Sequence, residues 1–145
     1  LNYKNEQWSV RDMVYYESPQ ATISWNEAVQ IIEVRWKAFA QGEQFRTAMD
    51  KVVELAGKMN GSKVLYDNRK MSVISQEDQA WVSQNWVKRA SDIQYCAVVE
   101  PEKVVAKSSL NRIVGTIEEF PYDMKFFQNM DDAVNWLAEM RYKVR

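Results

Sequence analysis

Three times after residue 42 the chain changes from apolar residues spaced three and four apart to a short apolar strand-like stretch, and this switching constrains its fold more than any other feature. Phe45, Ala48, Met49, Val52, Ala56 and Met59 make one stripe of a helix, and Asn60-Gly61 is its stop because both residues accept the left-handed conformation. Val64-Leu65-Tyr66 is too short for a helix and reads as a strand covered on both faces. Residues 75–90 carry a second helical face in Val82, Trp86 and Ala90, followed by another covered strand at Tyr95–Val99. Pro101 opens a third helix with Ala106, Leu110, Ile113 and Val114 on its face. Tyr122, Met124 and Phe126 then alternate as a last strand, and Asn129 caps a final helix carrying Ala133, Val134, Leu137 and Met140. Strands separated by helices of this length require right-handed crossovers over a shared, largely parallel sheet.

Upstream, the period is two. Residues 13–16 have the composition of a short strand, ended by Ser18-Pro19. Residues 21–25 place Ala21, Ile23 and Trp25 on one face, and residues 28–36 do the same with Ile32, Val34 and Trp36, so both read as strands with one wet side joined by a tight turn at Asn26-Glu27. The expected fold is therefore α/β, with about four helices and a mixed, mostly parallel sheet that begins in an antiparallel hairpin. Residues 1–12 are polar with scattered aromatics and are left unassigned; residues 13–145 read as a single domain, with no repeat or linker dividing them. The chain opens on Leu1 rather than a methionine, so residues upstream are expected.

Composition excludes several function classes. The chain has no histidine, which removes the commonest general base and transition-metal ligand together. Four glycines, at 42, 57, 61 and 115, form neither a Walker loop nor a dinucleotide fingerprint, so no cofactor is expected. Nineteen basic against twenty acidic residues give no field that would recruit nucleic acid, while low net charge and six tryptophans favour self-association into a homo-oligomer. No run of apolar residues is long enough to span a membrane, and the one cysteine, Cys96, sits in a strand-like run, which fits a reducing, cytoplasmic setting.

Several stretches in this order resemble a small bacterial branch of the STAS superfamily, the SpoIIAA-like domain shared by sulphate transporters and anti-sigma-factor antagonists. They are Gly42-Glu43-Gln44-Phe45-Arg46, Asp67-Asn68-Arg69-Lys70-Met71, Ile74-Ser75-Gln76-Glu77-Asp78-Gln79-Ala80-Trp81, Trp86, Arg89-Ala90 and Ala133-Val134-Asn135-Trp136-Leu137. The likeness spans roughly residues 13–140. It implies a non-enzymatic regulatory or binding module, since relatives act by docking on partner proteins, and the similar CRAL-TRIO class holds hydrophobic ligands. In regulatory relatives an Asp-Ser-Ser-Gly-type stretch carries a phosphorylated serine; here residues 67–75 take that place without the glycine, and Ser75 is the positional candidate.

The loop Asp67-Asn68-Arg69-Lys70-Met71-Ser72 leaves the carboxyl end of a covered strand, where open α/β sheets collect ligands. Arg69 and Lys70 have the chemistry to grip a phosphate, a carboxylate or an acidic surface, while Asp67 and Asn68 suit a turn held by local backbone hydrogen bonds. Ser75 with Asp78 three residues on is a helix N-cap pattern. Trp81 and Trp86 lie five apart, about 140° around a helix, so Trp86 takes the core and Trp81 is the candidate for a cavity wall or partner patch. The expected function is docking on a protein partner through residues 67–81. The alternative is a carrier or sensor of an apolar small molecule or lipid, which requires a cavity of roughly 300 Å³ or more.

Overall fold

The computed structural model describes residues 13–144. Residues 1–12, unassigned from sequence, lie outside the described residues. Strands β1 (Met13–Glu17), β2 (Ala21–Asn26) and β3 (Ile31–Trp36) are followed by helix α1 (Glu43–Met59), β4 (Lys63–Asp67), α2 (Gln76–Trp81), β5 (Tyr95–Val99), α3 (Val104–Thr116), β6 (Asp123–Phe127) and α4 (Met130–Glu139). The strands lie side by side in chain order, antiparallel from β1 to β3 and parallel from β3 to β6. This is the mixed sheet expected from the switching period.

A sequential order has a direct consequence for the layers. Right-handed crossovers between successive neighbours all pass over the same face, so α1, α2 and α3 share it. Their core gathers Ile32, Val34, Val64, Tyr66, Cys96 and Val98 under Phe45, Val52, Val82, Trp86 and Ile113. On the opposite face α4 sets Ala133, Val134 and Leu137 against Leu65, Ala97 and Val99. The central strands β4 and β5 are therefore covered on both sides.

Four local expectations change. The hairpin turn is longer than Asn26-Glu27: β3 starts at Ile31, and the Gln30 N–H closes on the Asn26 carbonyl at 2.8 Å with Gln30 at φ 58°. The Asn26 side chain helps by accepting from the Ala28 N–H at 3.1 Å, so polar Asn26 serves the turn without a glycine. The second face of β2 and β3 is less wet than alternation suggests, since Ser24, Asn26, Ile31 and Glu33 are all buried. Pro101 precedes rather than opens the third helix, which starts at Val104.

The fourth change is in the helix expected over 75–90. It runs as α2, then a π turn at Val82–Trp86, then a 3-10 turn at Val87–Arg89. Asp78, Val82, Trp86 and Ala90 repeat every four residues and all are buried. In an α-helix a strict four-residue repeat overshoots by about 40° per step, and the wider π turn takes up that drift. Trp86 is thereby held in the core, where its indole N–H donates to the Met49 carbonyl at 2.8 Å and ties this segment to α1.

Candidate functional site

Parallel pairing places Arg35 of β3 beside Asp67 of β4, at the carboxyl ends of both strands. Asp67 is buried, whereas Arg35 and Arg69 keep part of their side chains in solvent. The Asp67 carboxylate accepts from Arg69 Nε at 2.8 Å and Nη2 at 2.9 Å, and Arg35 Nε stands 3.5 Å away. Such a two-point guanidinium grip is among the stronger ion-pair geometries. Burial pushes the Asp67 carboxyl up, but the hydrogen bonds and charge of Arg69, helped by Arg35, outweigh it and hold the group below its usual range. Asp67 therefore stays ionised and fixes both guanidiniums.

Two residues back along β3, Glu33 is only 2% exposed. Its Oε1 accepts from Arg35 Nη2 at 3.3 Å, and its Oε2 has no hydrogen-bond partner. Burial raises its pKa to about 8; Arg35 opposes that rise and Asp67 adds to it. The carboxyl is thus mostly neutral at pH 7. Above this pair, Arg35, Asp67 and Arg69 join Trp36, Lys37, Lys70 and Glu102 around an open groove of about 620 Å³.

The 67–71 loop does not act as one unit. Strand alternation continues past Asp67, so Asp67 and Arg69 face the groove while Asn68 turns toward the helical side. The Asn68 N–H donates to the Val99 carbonyl at 3.2 Å, and its own carbonyl accepts from Met71 N–H at 2.9 Å, which makes the turn. Asn68 and Met71 instead line a mainly apolar cavity between α3 and the sheet, shared with Tyr66, Trp86, Ile113 and Tyr122. Its volume is about 70 Å³, and the Tyr66 hydroxyl and Asn68 Oδ1 are buried there without protein partners. An apolar carrier of drug-sized ligands needs roughly 300 Å³.

Ser75 and Trp81 occupy a third place. The Ser75 Oγ accepts from the Asp78 N–H at 3.2 Å and donates to Asp78 Oδ2 at 2.9 Å, so it caps α2 as its sequence pattern suggests. Asp78 also accepts from the Gly42 N–H at 2.9 Å and from Arg46 Nε at 3.1 Å, joining α2 to the start of α1. Gly42 sits at φ 62° and ψ −130°, a backbone region nearly reserved for glycine. Trp81 lies between the guanidiniums of Arg46 and Arg89, 5.6 and 5.8 Å from its ring centre, and meets Phe45 edge-on. It is Trp86, rather than Trp81, that walls the apolar cavity.

Sequence reasoning missed Glu33, Arg35, Lys37, Glu102 and Arg46. A signal existed for Arg35, because a charged residue at the end of a strand bordering a covered parallel strand falls at a ligand-collecting edge. None existed for Glu33, whose alternation with Ile32 and Val34 reads as an ordinary wet face. Among the described residues no cluster of three or more acidic or cysteine side chains could hold a metal ion, and no helix is long and apolar enough to cross a membrane.

Comparison with known proteins agrees with this architecture. The chain is similar to an uncharacterized protein of the DUF3478 family from Shewanella loihica PV-4, whose crystal structure has a SpoIIAA-like fold; identity is 14%, the TM-score is 0.52, and the match covers 89% of this chain and 97% of that one. At that identity the likeness speaks for the fold alone. No curated protein matches the sequence. The model of the SpoIIAA-like family matches residues 31–138, from the first residue of β3 almost to the end of α4. With the matched segment holding every parallel strand and all four helices, the chain belongs to the SpoIIAA-like family.

Proposed function

We propose that this chain is a regulatory or scaffolding module that docks a protein partner over the groove at the ends of β3 and β4. Proteins of the SpoIIAA-like family are typically non-enzymatic, and their fold fits a protein-interaction role. The observation that carries the reading is the buried Asp67, which holds Arg35 and Arg69 in place at the rim of an open groove. Such ordering lowers the entropy lost when a partner binds. Residues 13–145 act as one domain in this reading, working in a reducing, cytoplasmic setting.

Lys70 gives the cleanest test. Reversing Arg69 would set a second carboxylate against buried Asp67 and disturb the fold, whereas Lys70 is exposed. A photoreactive residue in place of Lys37, on the wall of the groove, is expected to crosslink one partner in cells of the source organism. Lys70→Glu should reduce that adduct at least fivefold while leaving the unfolding midpoint unchanged. An equal adduct yield from the folded variant would remove the groove from the docking surface.

Ser75 is the regulated position in the same reading. A phosphate on its Oγ replaces the proton now donated to Asp78 and sets at least one further negative charge against a fully buried carboxylate. The junction with Gly42 and Arg46 then loosens. Ser75→Ala, which removes the cap and the hydroxyl's hydrogen bond to Asp78 but adds no charge, should lower unfolding stability by about 1 kcal/mol, and Ser75→Glu by more. Equal losses in urea unfolding would leave Ser75 as a cap and nothing else.

The carrier reading ranks second. The unpartnered Tyr66 hydroxyl and Asn68 Oδ1 favour it, but a 70 Å³ space admits a lipid only if α3 moves off the sheet. A lipid retained in the native mass spectrum of the protein from its own cells would reverse the order.

A further inference from the structure

The groove's charge narrows the chemistry of what it docks. Four cationic side chains, Arg35, Lys37, Arg69 and Lys70, line it against two carboxylates, Asp67 and Glu102, in a chain whose overall charge is −1. Lys37 also meets Glu17 at 3.2 Å, an exposed pair that solvent screens. Asp67 is already engaged by Nε and one terminal nitrogen of Arg69 and by Nε of Arg35, and Glu33 takes a second Arg35 nitrogen, which leaves one terminal nitrogen of each guanidinium without a protein carboxylate. Helix α3 begins two residues beyond Glu102 with no side chain capping its first turn, which adds the positive end of its dipole on that side.

Arg35 and Arg69 meet at Asp67, and the groove's remaining positive charge comes from side chains at the ends of two neighbouring strands rather than from one backbone nest. Arg35 lies near the end of β3 with Lys37 just beyond it, while Arg69 and Lys70 follow β4, whose strand runs about 5 Å away in the sheet. A single phosphate is best held by donors aimed at one point, often backbone N–H groups of a nest. A row of carboxylates along an extended peptide matches spaced cations better. We propose that the groove binds an acidic, Glu- or Asp-rich segment of the partner protein. The inference rests on the docking function assigned above and specifies its chemistry.

Glu33 gives the groove a second property. It lies beneath Arg35, with Asp67 of β4 and Arg69 of the following loop as its other charged neighbours and uncharged Ser24 opposite it on β2. While Glu33 is neutral, the walls keep their positive excess; once it ionises, near pH 8, a buried negative charge offsets part of it. Affinity for an acidic segment therefore falls between pH 7 and pH 9.

Hexaglutamate and inorganic phosphate, titrated into the full chain and followed by backbone amide shifts in NMR, separate the outcomes. The expected result is hexaglutamate binding with shifts centred on residues 35–37 and 67–70, weakened at least tenfold by Lys37→Glu with Lys70→Glu and by less than twofold by Lys88→Glu on the 3-10 turn. Binding should also weaken severalfold from pH 7 to pH 9 in the wild type and stay level in Glu33→Gln. Absence of hexaglutamate binding, or phosphate binding as tight at the same residues, overturns the acidic-segment inference. Docking itself survives either result if the crosslinked adduct at position 37 remains Lys70-dependent, so the two failures are distinguishable.

Discussion

Glu33→Gln is expected to stabilise the fold by about 3 kcal/mol at pH 7 and by almost nothing at pH 4. The group's ordinary pKa is 4.5 and its folded value is about 8, because burial penalises the ionised form. Below pH 4.5 the carboxyl is protonated in folded and unfolded chains alike, and no penalty exists. Between pH 4.5 and 8 the unfolded chain releases a proton that the folded chain retains, so stability falls with rising pH by about 1.4 kcal/mol per unit. Above pH 8 both states are ionised and the penalty is level. Glutamine keeps the shape and the oxygen that accepts from Arg35, but has no proton to lose. Urea unfolding of both proteins at pH 4, 6, 7 and 8 measures the difference directly. Parallel stability profiles would mean that Glu33 is ionised in the folded protein at neutral pH.

Asp78→Ala is the largest expected loss, about 3 kcal/mol. Asp78 is completely buried and receives hydrogen bonds from the Gly42 N–H, the Ser75 hydroxyl and Arg46, all within 3.1 Å. Arg46 is partly exposed and can turn to water, so most of the loss comes from the two donors left behind in a partly buried junction. Asp78→Asn keeps the size and one acceptor oxygen, and should cost roughly half as much. Denaturant unfolding with an unchanged slope would show that the fold is weakened without being rearranged. If Asp78→Ala cost no more than Ser75→Ala, the link between α1 and α2 would contribute only a cap.

The sequence announces neither the burial of Glu33 nor the link from Asp78 to the start of α1, which marks where its legibility stops. The groove loop was found from one rule, that ligands gather at the carboxyl ends of parallel strands, and Arg69 and Lys70 do line the groove. Arg35 on β3 was not found, because it meets Asp67 only through strand pairing with a residue 32 positions along the chain. Ser75 was legible as a cap since its partner lies three residues away. Asp78's other partners lie 36 and 32 residues back, and no local pattern points to them.

The amino-acid order alone determined which segments are helices and strands and that three crossovers share one sheet, because apolar spacing is a local property that each segment states for itself. Only the folded chain decided that Glu33 is buried and mostly neutral, that Asn68 and Arg69 part to opposite faces, and that the residues of 67–81 serve three separate places. Desolvation and pairing depend on what lies across the sheet, and neighbours across a sheet are distant along the chain.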